Sequence, residues 1–496
     1  MHLNQKDFLS QEIKFNKFSV KVEFVLLLLI LILGFYLRIG FLGVPPFWVD
    51  ESISSVASLN ILEKGFPVLD SGVIYDRALV FHYSQALSMI VFGVNDFAAR
   101  FPSVVFGLLT VVLAFFVGRE YSKKAGLVAA LFVSIFFLEV FFSKQARFYQ
   151  LFQLAFFASL FFLYKSGKNY KWIYPALACF LVAVDTQPAG LVLVPFFVTH
   201  ILLFNLKKWF FSIVPIATFI FNQLTFFSIT SSSSVSTVLE QGSLQKMSIL
   251  YMINYFSFTT NMRYLLVFFI PGLIWSFFKN KVLTSLIILP SLIVLSGIFF
   301  LDVFAFRYAY FFSFPVILFS SLLLVFLAEK YGNILFIAII ALALIPSNLF
   351  YPFTYVTMLV PSQNNLNDFS APEINFKTIP LEILNELKNP ESIIITHYSP
   401  PVEWYIKKPD LVMPFTMTGQ GNDAISYDKN GLFVDIYSGA PMIYDANALP
   451  KEKFYYIEQG FAFSKLKSEQ ITFVSKMKEK CSLIYENSDL GIFECN

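Results

Sequence analysis

The chain has 496 residues, of which 57% are hydrophobic and only 14% are charged. Soluble domains carry about a quarter charged residues, so this composition excludes an ordinary soluble protein and indicates a polytopic membrane protein. The net charge of +3 is too small to indicate a nucleic-acid partner, and the three Cys show no metal-ligand spacing.

The first apolar run, residues 25–41, is long enough to cross a membrane and follows a Lys-containing start. Basic flanks stay in the cytoplasm, so we expect a cytoplasmic N-terminus and an outer loop at residues 44–97. This loop contains two amphipathic stretches, 52–63 and 79–92, which are predicted to lie along the membrane interface.

Ten further apolar runs follow the outer loop. They lie at about 101–117, 125–142, 148–164, up to 185, 188–207, 209–229, up to 279, up to 300, 305–327 and up to 352. Alternating sides from a cytoplasmic N-terminus places every Lys cluster inside, which favours about eleven transmembrane helices. The odd number places the chain beyond about residue 355 outside.

Residues 355–496 have a different pattern, with frequent charges. The apolar runs 392–396 and 453–457 predict strands, and 382–387 and 465–480 predict helices. We therefore predict a small extracytoplasmic α/β domain at 355–496, after a membrane domain at 1–354 whose outer loop 44–97 carries the active site. Cys481 and Cys495 form either a disulfide or two free thiols.

Two adjacent carboxylates, Asp50 and Glu51, follow the Pro45-Pro46 pair at the predicted membrane–water boundary. Proline stops the preceding helix, and Asp50 is a good cap for the helix that the following periodicity predicts. A structural reading is therefore an N-cap with a charged neighbour. The alternative is a catalytic pair, in which one carboxylate is a general base.

Cations and aromatic residues accompany this pair at the predicted outer ends of the spans. The candidate substrate-binding residues are Asp76, Arg77, Arg100, Lys144, Arg147, Tyr149, Arg307 and Tyr308. Arg favours bidentate recognition of phosphate, and phosphate at a membrane surface suggests a lipid phosphate. Arg that snorkels from a helix end is the structural alternative. We expect Glu139, which sits among Phe residues, to pair with Lys144 or another cation.

Four segments resemble the GT-C class of membrane glycosyltransferases. They are Asp50-Glu51, Arg100-Phe101-Pro102-Ser103, Lys144-Gln145-Ala146-Arg147-Phe148-Tyr149 and Arg307-Tyr308. Within the class the chain is similar to protein O-mannosyltransferases and to the aminoarabinose transferases that modify lipid A. Asp76-Arg77 stands where relatives often have Glu-Lys or a similar pair, and the Trp-Trp-Asp motif of oligosaccharyltransferases is missing from the sequence.

The resemblance implies a mainly α polytopic fold and a reaction at the outer face of the plasma (inner) membrane. A polyprenyl-phosphate-linked sugar would be the donor, and a lipid, glycan or protein hydroxyl the acceptor. Asp50 would be the general base, Glu51 would orient the site, and Arg147 and Arg307 would hold the leaving phosphate. A divalent metal near Asp50, Glu51 and Asp76 is an alternative, but Arg can neutralise a monophosphate, so we expect no cofactor.

Two other classes of function fit part of the pattern. A transporter or flippase of lipid-linked sugars places polar residues near mid-membrane and often shows repeated halves, whereas this chain concentrates them at one face without an internal repeat. A structural protein that presents its outer domain leaves the carboxylates of the first loop unexplained. The sequence therefore favours the glycosyltransferase.

Overall fold

The computed structural model describes residues 8–15, 18–230, 263–300, 306–332, 374–414, 426–429, 432–444, 448–463 and 466–496. The chain forms two compact units. The helical unit comprises Met1–Leu42, Arg100–Thr225 and Leu244–Leu359, and the sheet unit comprises Gly43–Ala99, Phe226–Ser243 and Val360–Asn496. The loop at 44–97, which the sequence analysis grouped with the membrane domain, therefore packs with the tail.

Apolar runs become the helices of the helical unit. Its described helices are α1 (Val22–Ile39), α4 (Asp96–Arg119, from Arg100 onward), α5 (Lys123–Ile135), α6 (Phe137–Phe142), α7 (Tyr149–Ser166), α8 (Ile173–Thr186), α9 (Val194–Phe204), α10 (Ile213–Thr230), α11 (Arg263–Lys279), α12 (Lys281–Phe300), α13 (Phe306–Ala309) and α14 (Ser313–Tyr331). Short 3₁₀ helices adjoin them at Tyr170–Trp172, Pro188–Leu193, Leu206–Ser212 and Tyr310–Phe312. A hairpin of β1 (Glu12–Phe15) and β2 (Phe18–Lys21) precedes α1.

Four described helical stretches are long and apolar enough to cross a membrane: Val22–Ile39, Asp96–Arg119, Lys281–Ile298 and Arg307–Tyr331. They coincide with the predicted runs at 25–41 and 101–117, with the run that ends at 300 and with the run at 305–327. Leu, Ile and Phe side chains of the first three stretches are exposed on the isolated protein, as expected where lipid covers them, whereas Arg307–Tyr331 is largely buried. The chain is thus an integral membrane protein.

Other predicted spans differ in detail. The run at 125–142 is two helices, because Phe136 between α5 and α6 has an extended backbone with ψ 137°. The run at 188–207 begins as the 3₁₀ helix Pro188–Leu193 and continues as α9 from Val194. The predicted eleventh span lies outside the described residues, so the count of about eleven stays a prediction.

Helix α14 lies at the buried centre of the helical unit. It belongs to the stretch Arg307–Tyr331, whose most apolar part is 89% buried. It packs against α11 and α5. Gly272 of α11 permits this approach, because a Cβ at that position would lie 2.1 Å from the carbonyl oxygen of Phe319. The close packing is consistent with helix association through small residues.

The sheet unit combines the outer loop with the tail. Its described helices are α2 (Val49–Lys64), α3 (Leu79–Phe92), α15 (Leu381–Lys388), α16 (Ser399–Tyr405), α17 (Gly460–Phe463) and α18 (Ser468–Lys478). Its strands are β3 (Ile393–Thr396), β4 (Leu411–Val412), β5 (Ser426–Lys429), β6 (Leu432–Asp435), β7 (Phe454–Gln459), β8 (Cys481–Glu486) and β9 (Leu490–Cys495).

Five of these strands form one sheet in the order β4-β3-β7-β9-β8. Strand β3 pairs in parallel with β4 and β7, and β9 runs antiparallel to β7 and β8. The β-branched run Ile393-Ile394-Ile395-Thr396 suits this central position, because its side chains are largely buried on both faces of the sheet. The predicted tail strands and helices are confirmed within two to three residues at most ends.

Helices α2 and α3 cover the two stretches that were predicted to lie along the membrane interface, and they differ in burial. Helix α3 exposes Leu87, Ile90 and Val91, which is the surface that an interfacial helix presents. Helix α2 is buried along most of its length and packs against α3 and α16. For α2 the interfacial prediction is wrong, because the tail covers it.

Cys481 and Cys495 form a disulfide between the paired strands β8 and β9. The two residues are directly opposite in the antiparallel register, with their Cα atoms 4.1 Å apart. Of the two alternatives that the sequence left open, the structure therefore contains the bonded one.

Candidate active site

The Asp50-Glu51 pair lies in the first turn of α2, in the sheet unit. The helix begins at Val49, and the backbone N–H of Trp48 donates to Glu51 Oε2 at 3.3 Å. Glu51 is buried and thus serves as the capping residue, whereas Asp50 is half-buried. The prediction that Asp50 caps the helix is wrong, because the helix begins at Val49 and its N-cap residue is Trp48, two positions earlier.

Neighbours of Asp50 on the helix fix its position within the sheet unit. Val49 and Ile53 belong to one buried apolar cluster with Ile394 and Tyr398 of the tail. A carboxylate in the first turn of a helix is also stabilised by the positive end of the helix dipole. Asp50 therefore sits on a turn whose apolar side chains pack in the core of the sheet unit.

A second carboxylate, Asp96, helps to anchor the segment that precedes α2. Its oxygens accept from Lys377 Nζ at 2.5 Å, Trp404 Nε1 at 2.8 Å and the Tyr405 hydroxyl at 2.9 Å. The same Tyr405 oxygen accepts the backbone N–H of Phe47 at 2.7 Å. The segment just before the Asp50-Glu51 pair is thus tied to the tail through hydrogen bonds, a feature that no sequence pattern indicated.

Asp76 and Arg77 precede α3 in the same unit. Asp76 is exposed and Arg77 is half-buried. Next to them, Ala78 is fully buried with a φ of 57°, in the left-handed region that favours glycine. Strained backbone of this kind clusters at functional sites. The conformation of Ala78 therefore points to this segment, and the sequence alone did not indicate it.

A metal site was the alternative use of Asp50, Glu51 and Asp76. Within the part of the chain that the structure describes, no group of three His, Cys, Asp or Glu side chains is arranged to hold a metal ion.

A half-buried carboxylic acid, Glu403 of α16, also belongs to the sheet unit. Its Oε2 is buried and makes no hydrogen bond within the described ranges. Burial, together with the negative charges of Asp70 and Asp435, raises the pKa of Glu403 to about 8, while Lys408 and Lys64 act in the opposite direction. Glu403 is therefore mainly protonated at neutral pH.

This raised pKa predicts a pH-dependent stability. The folded protein keeps a proton that the unfolded chain releases above its usual pKa of 4.5, so stability falls as the pH rises from about 4.5 to 8. We expect Glu403→Gln to flatten this dependence, which is on the order of 5 kcal/mol between pH 4.5 and 8. Apparent melting temperatures at pH 5.5 and 8.5 test the change. Glu382→Gln, at an exposed position of α15, should keep the wild-type dependence; an equal slope in wild type and Glu403→Gln would contradict the assignment.

The remaining predicted site residues lie in the helical unit, where Lys144 and Arg100 bind backbone carbonyl groups. Lys144 Nζ donates to the carbonyl oxygen of Gly40 at 2.6 Å, and Arg100 Nη1 donates to that of Leu42 at 3.0 Å. Both side chains are buried. These cations neutralise the carbonyl groups at the end of α1, a role that the phosphate-binding prediction did not include.

Arg147 and Arg307 are each placed against aromatic rings. The Arg147 guanidinium carbon lies 4.4 Å from the centre of the Phe148 ring and 5.6 Å from that of Tyr149. The Arg307 guanidinium carbon lies 5.4 Å from the Tyr308 ring. Stacking on aromatic faces leaves the edge of the guanidinium, with its donors, directed away from the ring.

A buried polar network joins the segments that carry these two arginines. The Tyr310 hydroxyl lies 2.8 Å from Glu139 Oε2 and 2.5 Å from Gln150 Oε1, and Gln153 Nε2 donates to Glu139 Oε1 at 2.9 Å. Ser313 donates to the same Glu139 oxygen at 2.5 Å. Lys144 is therefore not the partner of Glu139. Hydroxyl and amide groups bind its carboxylate, and the cation that interacts with it electrostatically is Arg38.

This hydrogen-bond network fixes the turn that contains Tyr310 relative to the turn that contains Gln150. Tyr310 is three residues beyond Arg307, and Gln150 is three residues beyond Arg147. Ser103 Oγ also donates to the backbone oxygens of Gln145 and Arg147, at 2.5 and 3.2 Å. The backbone around both arginines is thus held by hydrogen bonds rather than left to a flexible loop.

These features and the fold define a class of protein. The structure of ArnT from Cupriavidus metallidurans in the apo state matches with a TM-score of 0.65 over 95% of this chain and 97% of that one, at 11% identity. ArnT from the same organism bound to undecaprenyl phosphate gives 0.62 at the same coverage and identity. The oligosaccharyltransferase of Archaeoglobus fulgidus, in a complex with Zn and sulfate, gives 0.53 at 11% identity, over 94% of this chain and 72% of that one. The chain has the GT-C fold of membrane glycosyltransferases.

A family-level match comes from the sequence. Residues 76–232 match the family described as dolichyl-phosphate-mannose-protein mannosyltransferase. The matched region contains Asp76, Arg77, Arg100, Lys144 and Arg147, which the sequence analysis chose for their chemistry. No curated protein sequence is significantly similar to this chain.

Proposed function

We propose that this protein is a glycosyltransferase that moves a sugar from a polyprenyl phosphate to a hydroxyl group of a lipid, glycan or protein. The reaction takes place at the outer face of the plasma (inner) membrane, and the sheet unit is extracytoplasmic. The observation that carries the proposal is Asp50, a half-buried carboxylate on an immobilised helical turn whose capping is performed by its neighbour Glu51. A carboxylate held in this way can act as a general base toward an acceptor hydroxyl.

The donor half of the proposal is supported by Arg147 and Arg307. Guanidinium groups bind phosphate through two parallel hydrogen bonds, and aromatic stacking orients them for it. One solved protein of the same fold is bound to undecaprenyl phosphate, which supports a lipid phosphate as the partner of this chain. Lys144 and Arg100 contribute positive potential although they also bind backbone carbonyls.

The chemistry balances without a metal ion. Asp50 takes the proton of the acceptor hydroxyl while the acceptor oxygen forms a bond to the anomeric carbon of the sugar. The bond between that carbon and the phosphate oxygen breaks, and its electron pair leaves on the polyprenyl phosphate. The guanidinium groups stabilise the charge that develops on the phosphate, so the mechanism needs no cofactor.

Sealed vesicles distinguish this function from the two alternatives. We expect purified protein, given undecaprenyl phosphates linked to labelled mannose or aminoarabinose and an envelope extract as acceptor, to transfer the label and release undecaprenyl phosphate. Movement of intact donor to the opposite leaflet, without release, would identify a transporter. Neither change with any donor would leave a structural protein. Vesicles without protein provide the background.

A further inference from the structure

A groove lies on the surface of the helical unit between α9, the end of α11 and the first half of α12. It encloses about 450 Å³ and is lined mainly by Leu, Phe, Val and Pro side chains. Leu203, Phe277 and Leu289, one from each of the three helices, are exposed on the isolated protein. The groove therefore opens toward the lipid that covers this apolar surface.

One end of the groove lies at a membrane surface. The last turn of α7 binds the segments beside the groove, because the Tyr164 hydroxyl accepts from Asn280 Nδ2 at 2.9 Å and the carbonyl oxygen of Ser166 accepts from Asn205 Nδ2 at 3.3 Å. Asn280 directly precedes α12, and Asn205 directly follows α9. The end of α9 and the start of α12, with Lys281, are therefore at the same surface.

The groove is cationic at this surface and apolar at its inner end. Lys281, the first residue of α12, is exposed and forms no ion pair within the described residues. The positive end of the α12 dipole adds to its charge. Leu289 lies about 12 Å further along the helix axis, and Pro195 lies at the start of α9. The length of the groove is thus close to one lipid leaflet, about 15 Å or half of the hydrocarbon core.

A buried imidazole gives the groove a second polar group near the same surface. His200 lies one turn before the end of α9, is only 4% exposed and is hydrogen-bonded to the backbone of Leu163. Its Nε2 has no hydrogen-bond partner among the residues that the structure describes. Because His200 is one of the residues that line the groove, a hydroxyl group of an occupant, or a water held by it, can donate to this nitrogen.

We propose that this groove binds an anionic glycerophospholipid of the bilayer, with an acyl chain between α9 and α12 and the phosphate group beside Lys281. An apolar path of one leaflet's depth that ends at a cation matches the shape and charge of such a lipid. A choline head group carries its own cation beside the phosphate, so the groove should prefer a lipid with net negative charge. In the orientation of the proposed function this end faces the cytoplasm, where basic pockets between transmembrane helices bind anionic head groups.

Lipid titration of the delipidated full chain tests the site. Native mass spectrometry of the purified protein in detergent, with phosphatidylglycerol or phosphatidylcholine added, gives the dissociation constant of the first bound lipid. We expect phosphatidylglycerol to bind about fivefold more tightly or better, which is the effect of one Lys beside an anionic head group. Lys281→Gln should remove this preference and leave the affinity for phosphatidylcholine unchanged. Equal affinities of the wild type for the two lipids would overturn the proposal.

Lys330→Gln is the matched control, because Lys330 is an exposed lysine in the last turn of α14 that does not line the groove. It should keep the wild-type preference. Ser285→Trp, at a position that lines the groove, should weaken the binding of both lipids, since the indole occupies the space of the chain. Equal losses of preference in Lys330→Gln and Lys281→Gln, or wild-type binding by Ser285→Trp, would contradict the site. Melting temperatures confirm that the variants are folded. No sugar donor is used, so the result is independent of the proposed function.

Discussion

Asp50→Asn is expected to give a folded protein that binds the lipid donor and transfers its sugar at least ~100-fold more slowly than wild type. Asn has the shape of Asp but cannot take a proton. The loss should appear in the rate of the chemical step and not in donor affinity. Rates of undecaprenyl phosphate release, with donor binding and melting temperature measured on the same preparation, check the result.

Glu51→Gln separates capping from proton transfer. Because Glu51 accepts the backbone N–H of Trp48, a Gln oxygen can replace it, and we expect a loss of less than tenfold. A larger loss for Glu51→Gln than for Asp50→Asn would exchange the roles of the two residues. A variant Asp50→Asn with nearly normal turnover would remove the base from the mechanism.

Arg147→Ala and Arg307→Ala are each expected to weaken binding of undecaprenyl phosphate about tenfold or more. Each change removes charge-assisted hydrogen bonds, which contribute about 1.5–3 kcal/mol apiece. The affinity of purified protein for undecaprenyl phosphate in detergent, measured by titration, gives the effect directly. Turnover at saturating donor should fall as well if the same guanidinium groups stabilise the leaving phosphate.

Lys165→Ala is the control for a general loss of positive charge. Lys165 lies at the opposite end of α7 from Arg147 and pairs with Glu120 at 2.7 Å. Its removal should leave donor affinity unchanged. Unchanged affinity in both arginine variants would show that Arg147 and Arg307 do not bind the lipid phosphate and only snorkel from helix ends.

Elements whose pattern is local were predictable from the sequence. The apolar runs that became α1, α4, α12 and α14 needed only length and hydropathy, and β3 and β7 followed from short β-branched or aromatic runs between polar segments. The tail was recognisable as an α/β domain because its composition changes. These features depend on neighbours along the chain, so no tertiary information was needed.

Features that depend on distant partners were missed. Asp96 binds Trp404 and Tyr405, more than 300 residues away, and nothing near Asp96 in the sequence indicates those partners. The hydroxyl and amide donors that bind Glu139 come from other helices, which no local pattern reveals, and the cation that acts on it is Arg38 rather than Lys144.

A single-turnover reaction tests the central claim most directly. Wild-type protein in excess over undecaprenyl phosphate linked to labelled mannose or aminoarabinose is mixed with envelope acceptor. The labelled acceptor and the released undecaprenyl phosphate are both followed in time. The account predicts that label reaches the acceptor with one undecaprenyl phosphate released per sugar, and that Asp50→Asn binds the donor but retains the label on it. Equal transfer by wild type and Asp50→Asn, or no transfer by wild type from either donor, would contradict it.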